Sequence, residues 1–300
     1  PAVTVTVEQV TTPEQADTLL ACWRKADHVS VLTLPDLTGA AVVCETGEGT
    51  AVTAELFFDQ YQGDWNALLG KLFSADIRKV SHNVKDLMRT LSDNGLPAEG
   101  FVFDTALAAY LLDATAGSYD LQRLFVSYYN EELPKPLYLE KDAFSLLGDS
   151  AEAEASLDRY TAAVDALYET LAPQLREKDL WELFETAEMP LCAVLADMER
   201  AGCRVDARAL AAFGEALSAR IAQQEQAIYE MAGMEFNINS PKQLGEILFG
   251  KLGLPHGKKT KTGWSTNADV LEKLRYEAPI VSAVLEYRQY AKLKSTYADG

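Results

Sequence analysis

No hydrophobic run in this sequence reaches the roughly 18 residues that a membrane-spanning helix needs. The first ten residues carry neither a basic region nor a long apolar stretch, so they do not form a secretory signal peptide. The chain also lacks an initial Met, which suggests a processed or partial polypeptide. These absences predict a cytoplasmic protein without a membrane partner.

Cysteine is scarce, and its positions do not suggest metal binding. Cys22, Cys44, Cys192 and Cys203 form no Cys-x-x-Cys pair, and no nearby His completes a zinc pattern. We therefore expect buried free thiols, which suit a reducing compartment.

Positive charge is also in short supply. The chain has 27 Lys and Arg against 45 Asp and Glu, a net charge of −18, and this balance alone disfavours nucleic-acid binding. The exception lies between Asn237 and Trp264, where Glu246 is the only acid among five lysines. Such a segment suits non-specific phosphate contacts, with helix N-termini at Ser240 and Ser265 adding N–H donors. A solvated lysine loop explains the charge equally well.

The order of predicted elements changes along the chain. Strand patterns occur at 3–7, 28–34, 40–44, 51–58, 77–81 and 101–103, with a hairpin turn at 46–49 and helical patterns at 12–25, 64–73 and 85–91. After Pro136 the pattern is helical, at 152–171, 178–200 and 207–231, and Pro173 should end or kink the first of these helices. This order predicts a sheet covered by helices, followed by helices that pack against one another.

The C-terminal part resembles the thumb of family A (polymerase I-type) DNA polymerases. The resemblance covers about residues 187–300 and is carried by ordered motifs, namely Met189-Pro190-Leu191, Val194 to Glu199, Phe236 to Ser240, Lys242-Gln243-Leu244, Gly263 to Thr266, Leu285 to Arg288 and Lys292 to Tyr297. It implies that this region grips primer–template duplex DNA. The DNA contacts that it implies are Asn237, Asn239, Ser240, Lys242, Gln243, Lys258, Lys259, Lys261, Ser265, Thr266, Lys292 and Lys294.

The part before the thumb is similar to the 3′–5′ proofreading exonuclease domain of the same family. The matching motifs are Asn83-Val84-Lys85, Phe103-Asp104-Thr105, Ala109 to Asp113, Ala116 to Leu121 and Arg159-Tyr160. The exonuclease chemistry uses four carboxylates around two metal ions. At the matching positions this chain has Leu32, Leu34, Leu87 and Val164. Asp86 and Asp165 each lie one residue away, where a helix turns the side chain by about 100°.

The resemblance therefore predicts an α/β RNase H-like (exonuclease-type) domain with a mixed sheet at 1–186, inactive, followed by an all-α thumb at 187–300. It implies no catalytic residue, metal ligand or cofactor here, because the palm and fingers, with the Mg²⁺-binding aspartates that act on deoxynucleotides, follow the thumb in this family. The chain ends at Gly300, so we expect a monomeric fragment that cannot polymerise DNA, from a parent protein that can.

Two alternatives remain open. Asp36, Glu45, Asp86 and Asp165 could converge in another register and form an active proofreading nuclease. The acidic domain could also be a non-enzymatic module that binds a protein partner. Asp104 is expected to cap a helix, His82 to be structural rather than catalytic, and Trp264 either to pack beneath its loop or to touch DNA.

Overall fold

The computed structural model describes residues 6–46, 50–140, 150–255, 259–260 and 263–300. The chain forms two compact units, Pro1–Gly202 and Cys203–Gly300. Within the described residues, none of the helices is both long enough and apolar enough to cross a membrane.

A six-stranded mixed sheet forms the centre of the first unit. Its strands are β1 (Thr6–Gln9), β2 (Val29–Thr33), β3 (Gly39–Thr46), β4 (Thr50–Phe57), β5 (Lys79–Ser81) and β6 (Phe101–Asp104), in the order β1-β4-β3-β2-β5-β6. Strand β3 runs antiparallel to β2 and β4, whereas the other neighbours are parallel. The predicted mixed sheet is confirmed. The predicted hairpin turn falls mainly on residues 47–49, outside the described part.

Helices cover both faces of this sheet. They are α1 (Pro13–Trp23), α2 (Trp65–Leu72), α3 (Val84–Asp93), α4 (Thr105–Leu112), α5 (Leu121–Tyr129), α6 (Ser150–Glu177), α7 (Trp181–Leu183) and α8 (Met189–Ala201), with a 3₁₀ turn at Leu137–Leu139 and a π-helical turn at Phe184–Glu188. Local signals set several helix starts. At α1, the hydroxyl of Thr12 accepts from the N–H of Gln15, and the Gln15 side chain accepts from the N–H of Thr12.

Successive side chains along each strand point to opposite faces of the sheet, and each face has its own hydrophobic core. Ala40 and Val42 of β3 join the core beneath α1 and α2, which includes Leu20 and Leu69. Ala41 points the other way, into the core under α6. This period of two produces a helix–sheet–helix arrangement.

Helix α6 corrects the expected end at Pro173, because the helix continues past this residue. The helix runs from Ser150 to Glu177 with Pro173 inside. Pro removes one backbone donor, but Leu171, Ala172 and Leu175 around it are buried in the core. Packing of this face outweighs the lost hydrogen bond.

The expectation of buried thiols is correct for two cysteines. Cys44 and Cys192 are buried, and burial raises the pKa of each thiol to about 11. Cys22, near the C-terminal end of α1, and Cys203, just after α8, are exposed.

The second unit is built from antiparallel helices. Its elements are α9 (Ala207–Ala232), α10 (Pro241–Gly245) continued by a π-helical turn at Glu246–Lys251, β7 (Lys259–Thr260), β8 (Gly263–Trp264), α11 (Ala268–Lys273), and α12 (Pro279–Leu293) continued by a π-helical turn at Lys294–Ala298. Arg220 of α9 lies over the Tyr290 ring of α12, whereas Gln224 bonds Glu286, so the two helices run in opposite directions. The all-α expectation needs correction, because β7 and β8 pair as a short antiparallel hairpin.

Helix α8 packs within the first unit. Lys85 and Arg89 of α3 both form ion pairs with Glu199, and Arg200 pairs with Asp93. Gly202 then ends α8 at φ 63°, ψ −173°, a conformation suited to glycine. The boundary between the two compact units therefore lies after Gly202. The boundary between the exonuclease-like region and the thumb, expected at 186/187 from the motifs, stays a prediction.

Candidate functional site

Five of the twelve predicted DNA contacts surround the start of α10. Asn237, Asn239, Lys242 and Gln243 are exposed, and Ser240 is half-buried. The N–H of Asn237 donates to Oε1 of Gln243 at 2.8 Å, and the N–H of Asn239 donates to Oδ1 of Asn237 at 3.0 Å. The hydroxyl of Ser240 accepts from the N–H of Gln243 at 3.4 Å, as an N-cap. The structure therefore brings these residues together in one hydrogen-bonded surface.

This surface is joined to α12 by a tyrosine. The amide Nδ2 of Asn239 donates to the hydroxyl of Tyr287 at 3.1 Å, and Tyr287 is buried. The polar loop before α10 is thus held against α12, which together with the π-helical turn after it carries two further predicted contacts. Of these, Lys292 is exposed, and Lys294 pairs with Asp299 at 2.6 Å.

The lysines of the hairpin segment differ in position. Lys259 lies in β7 opposite Trp264, whereas the predicted contacts Lys258 and Lys261 lie outside the described residues. Lys251 donates to the backbone oxygen of Ala232 at 2.7 Å. It therefore caps the C-terminal end of α9.

Two further predicted contacts have different surroundings from those expected. Thr266 is 4% exposed, and its hydroxyl and backbone oxygen both accept from Arg288. Ser265 does not begin a helix, because Asn267 is the residue that caps α11, at 3.0 Å from the N–H of Val270. Trp264 packs beside Phe249, with the ring centroids 6.1 Å apart, and contact with DNA stays a prediction.

Charge is divided unevenly between the two units. Residues 1–202 contain 14 Lys and Arg against 34 Asp and Glu, whereas residues 203–300 contain 13 against 11. The first unit therefore carries a net charge of −20, whereas the second carries +2. The second unit does not oppose phosphate binding in the way that the whole-chain charge suggests.

The four positions predicted to have lost carboxylates are apolar and shielded. Leu32, Leu34 and Val164 are 7%, 3% and 0% exposed and join one core, and Leu87 is partly buried against the other. Leu32 and Leu87 line a cavity of about 390 Å³ together with Tyr160, whereas Leu34 and Val164 are absent from its lining.

The nearby acids are used elsewhere. Asp165 accepts from the Ser30 hydroxyl at 2.7 Å and lies 3.5 Å from Nε2 of His28. Asp36 accepts from the N–H and hydroxyl of Thr38. Asp86 lines the cavity beside Lys85. Among the described residues, no three His, Cys, Asp or Glu side chains are grouped so that they could hold a metal ion.

His82 also lines the cavity. Its Nδ1 is 2.8 Å from the hydroxyl of Thr105, and burial lowers the pKa of His82 to about 4. The imidazole is therefore neutral near pH 7. The hydroxyl that His82 contacts belongs to Thr105, which is fully buried and therefore out of reach of a substrate, and this fits the structural role expected for His82.

The buried carboxylate of Asp104 lies at the N-terminal ends of α3 and α4. Its carboxylate accepts from the N–H groups of Asn83, Val84, Ala106 and Leu107. Burial raises the pKa of Asp104, and these four donors oppose the shift. The predicted capping role at α4 is confirmed. The additional cap on α3 was missed, because it depends on two strands lying side by side.

Comparison with known proteins places these features in a family. Residues 207–300 match the model described as DNA polymerase family A. The DNA polymerase I of Bacillus subtilis is 38% identical over 277 residues, covering 88% of this chain and 29% of that protein. The DNA polymerase I of Geobacillus stearothermophilus is 42% identical over 225 residues, covering 74% of this chain and 26% of that protein. The chain is a homologue of family A DNA polymerases.

A solved structure extends this similarity to both units. The POL domain of Pol1 from M. smegmatis, in complex with DNA primer-template and dNTP, matches with a TM-score of 0.79 and 27% identity. The match covers 96% of this chain and 49% of that domain. The chain thus spans under a third of the two curated polymerases and about half of the solved domain.

Proposed function

We propose that the second unit is a polymerase thumb that binds primer–template duplex DNA. The observation that carries this proposal is the exposed surface formed by Asn237, Asn239, Lys242 and Gln243 around the start of α10, with Lys292 on α12. The slightly positive charge of this unit supports it. Phosphate contacts by lysine and amide groups position a duplex without selecting its sequence.

The first unit is proposed to be an exonuclease-type, RNase H-like domain that has lost its chemistry. The strand order and the single antiparallel strand β3 between β2 and β4 support the fold assignment. The metal ions of such a nuclease do not fit the residues present, because Leu32, Leu34, Leu87 and Val164 offer no oxygen ligand. We assign this unit the role of a scaffold.

The longer parent protein is proposed to extend primers with deoxynucleotides and Mg²⁺, through parts that lie beyond these 300 residues. The chain itself is proposed to act as a monomer. Its own contribution to that reaction is to hold the duplex.

The test combines duplex binding with nuclease activity on the 300-residue chain. Fluorescence anisotropy with a labelled primer–template should show binding that weakens as salt rises, because lysines displace counterions from phosphates. No 3′ shortening of single-stranded or primer–template DNA is expected with Mg²⁺ or Mn²⁺. Stepwise shortening that EDTA abolishes would show that the proofreading site is active.

A matched pair of variants locates the binding surface. Lys242→Glu combined with Lys292→Glu should weaken binding at least about tenfold, since two phosphate contacts become repulsive. The control variant Lys25→Glu with Arg24→Glu reverses two charges in the first unit. Its affinity for the duplex should stay within about twofold of wild type, although the net charge changes by the same amount. Equal losses from both pairs would mean that only total charge matters.

The acidity of the first unit favours one other function, the binding of a protein partner. Its 14 basic against 34 acidic residues suit a module that binds a basic protein partner. This function would gain support if the chain failed to bind duplex DNA even at low salt.

A further inference from the structure

The side chains of Asn237 and Gln243 are each held in one orientation by a backbone group of their own loop. The N–H of Asn239 donates to Oδ1 of Asn237, and the N–H of Asn237 donates to Oε1 of Gln243. A backbone N–H can only donate, so the side-chain atom that faces it must be the amide oxygen and not the amide nitrogen. Both amide oxygens are therefore directed into the loop.

The amide nitrogens of these two side chains remain available to a ligand. Both residues are exposed, and within the described part of the chain neither Nδ2 of Asn237 nor Nε2 of Gln243 has a hydrogen-bond partner. Each of these NH₂ groups supplies two donors, and the exposed Lys242 adds an ammonium group directly before Gln243. These three side chains therefore offer donors to a ligand whose own groups accept, such as the oxygens of a phosphate.

Tyr287 connects this loop to α12. Its hydroxyl accepts from Nδ2 of Asn239 at 3.1 Å, although 48 positions separate the two residues in the chain. Tyr287 is 7% exposed and lies in the core of the second unit, and Ile238 is 2% exposed in the same core. The loop is thus anchored by an apolar side chain at Ile238 and by a polar side chain at the next residue.

The hydrogen bonds form a chain that leads from Tyr287 to the two exposed amides. Tyr287 fixes the side chain of Asn239, and the N–H of Asn239 fixes the amide of Asn237. The N–H of Asn237 then fixes the amide of Gln243. Ser240 closes the loop, because its N–H donates to the backbone oxygen of Asn237 at 3.0 Å. Loss of the first bond in this chain should loosen the bonds that follow it.

We propose that Tyr287 is a positioning residue, which holds the exposed amides of Asn237 and Gln243 with their N–H donors towards the phosphates of duplex DNA. It acts through Asn239 and, being buried, needs no DNA contact of its own. The inference rests on the proposed duplex-binding function. Side chains that are already oriented lose less conformational entropy when the duplex binds.

The variant Tyr287→Phe tests the positioning role, because it removes the hydroxyl and keeps the packed ring. We expect duplex binding by the 300-residue chain to weaken about threefold in fluorescence anisotropy. Tyr290→Phe is the matched control on the same helix, since it removes a hydroxyl that lies 3.4 Å from Nη1 of the exposed Arg220. The control should bind like wild type. Wild-type affinity in Tyr287→Phe, or equal losses from both variants, would overturn the proposal.

The variant Gln243→Glu tests the direction of the donors. Its carboxylate keeps an oxygen for the N–H of Asn237 and lies in the first turn of α10, where negative charge is favourable, so the melting temperature should not fall. Duplex binding should still weaken at least about fivefold, because an oxygen replaces the outward donors. Gln223→Glu, an exposed position on α9, makes the same change in charge and should stay within about twofold. Equal affinities of these two variants would reject the outward donors.

The sequence of the duplex distinguishes phosphates from base edges. The loss in Gln243→Glu should be the same on A·T-rich and G·C-rich duplexes, because phosphate groups carry no sequence information. A loss confined to one of the two duplexes would place the donors on base edges and reject the phosphate contact.

Hydrogen exchange gives a readout that does not depend on DNA. Peptides covering residues 236–243 should exchange faster in Tyr287→Phe than in wild type, whereas peptides from the rest of the second unit should not change. Tyr290→Phe should leave residues 236–243 as they are. Unchanged exchange there in Tyr287→Phe would reject the positioning role. If the wild-type chain fails to bind duplex but Tyr287→Phe exchanges faster, the duplex-binding function fails and the ordering of the loop by Tyr287 stands.

Discussion

The carboxylate of Asp104 accepts a hydrogen bond from the backbone N–H of Val84 at 2.8 Å, although twenty residues separate them in the chain. The same side chain caps α4 through Ala106 and Leu107. One buried side chain therefore satisfies donors at the starts of two helices, and fixes α3 and α4 at the ends of neighbouring strands.

Asp104→Ala should lower the free energy of unfolding by about 3–4 kcal/mol, since it leaves buried N–H groups of both helices without an acceptor. Asp104→Asn keeps one acceptor oxygen and should cost less. Urea denaturation followed by circular dichroism measures both. Asp113→Ala, which affects an exposed cap that binds Thr115, is the control and should cost under about 1 kcal/mol. Equal losses from Asp104→Ala and Asp113→Ala would contradict the double cap.

A buried carboxyl pair makes stability depend on pH. Asp158 and Glu55 are 5% and 6% exposed, and burial followed by the hydrogen bond to Glu55 raises the pKa of Asp158 to about 8. Between about pH 4 and pH 8 the folded chain keeps a proton that the unfolded chain releases. This group alone therefore lowers stability as pH rises, by at most about 1.4 kcal/mol per pH unit.

Asp158→Asn should remove this dependence and should be more stable than wild type at pH 8. Urea titrations at pH 5, 6.5 and 8 provide the comparison. At pH 5 the two proteins should differ least, because Asp158 is protonated there. A constant difference between the two proteins at all three pH values would show that Asp158 does not titrate in this window.

A fully buried lysine stabilises the turn before β5. The ammonium of Lys79 donates to the backbone oxygens of Ser74 at 2.8 Å and Ile77 at 2.6 Å, and burial lowers the pKa of Lys79 to about 7. Lys79→Met keeps the apolar stem but leaves both oxygens unpaired. We expect a loss of about 2–4 kcal/mol in the free energy of unfolding at pH 7.

The pH profile of Lys79→Met tests the charge. From about pH 7 to pH 10 the unfolded wild type binds a proton that the folded chain lacks, so this group makes stability rise with pH. The variant should lose that rise, measured by urea denaturation at pH 7 and pH 9. The exposed Lys71→Met, which loses its pairing with Asp17, should keep it. If the stability of Lys79→Met rises with pH as much as that of the wild type, other groups cause the rise.

Local signals predicted some elements almost to the residue. The helix expected at 207–231 runs from Ala207 to Ala232, because the Asp206 cap and the left-handed Gly233 are properties of the adjacent sequence. The division after Gly202 was not predictable in this way. It depends on Glu199 meeting Lys85 and Arg89, which lie more than a hundred residues earlier.

The candidate site shows the same limit. Motif resemblance located the surface around Asn237 and Ser240, and the structure brings these residues together. The motif resemblance could not distinguish exposed side chains from buried side chains that hold the surface in place. Thr266 is an example, since its burial under Arg288 is a tertiary contact between residues 22 positions apart.

We propose that Leu32 and Leu34 occupy positions where an active exonuclease of this family carries carboxylates, and introducing two carboxylates there tests the proposal. Leu32→Asp with Leu34→Glu places two carboxylates in an apolar core, beside buried Val80 and Val164. We expect a loss of about 3 kcal/mol or more in the free energy of unfolding at pH 7. Leu183→Asp with Leu195→Glu, at positions 44% and 38% exposed, should cost far less.

Adding Mg²⁺ or Mn²⁺ distinguishes a dismantled metal site from a latent one. A divalent ion stabilises a folded protein only to the extent that it binds the folded state. The introduced pair supplies two of the four carboxylates that the exonuclease chemistry uses, and Asp165 remains bonded to Ser30 and close to His28. We therefore expect the melting temperature of the Leu32→Asp/Leu34→Glu variant to stay within about 1 °C when millimolar Mg²⁺ is added. A larger rise in melting temperature would mean that the remaining residues still form half of a metal site, provided that EDTA abolishes the rise and the wild type does not show it.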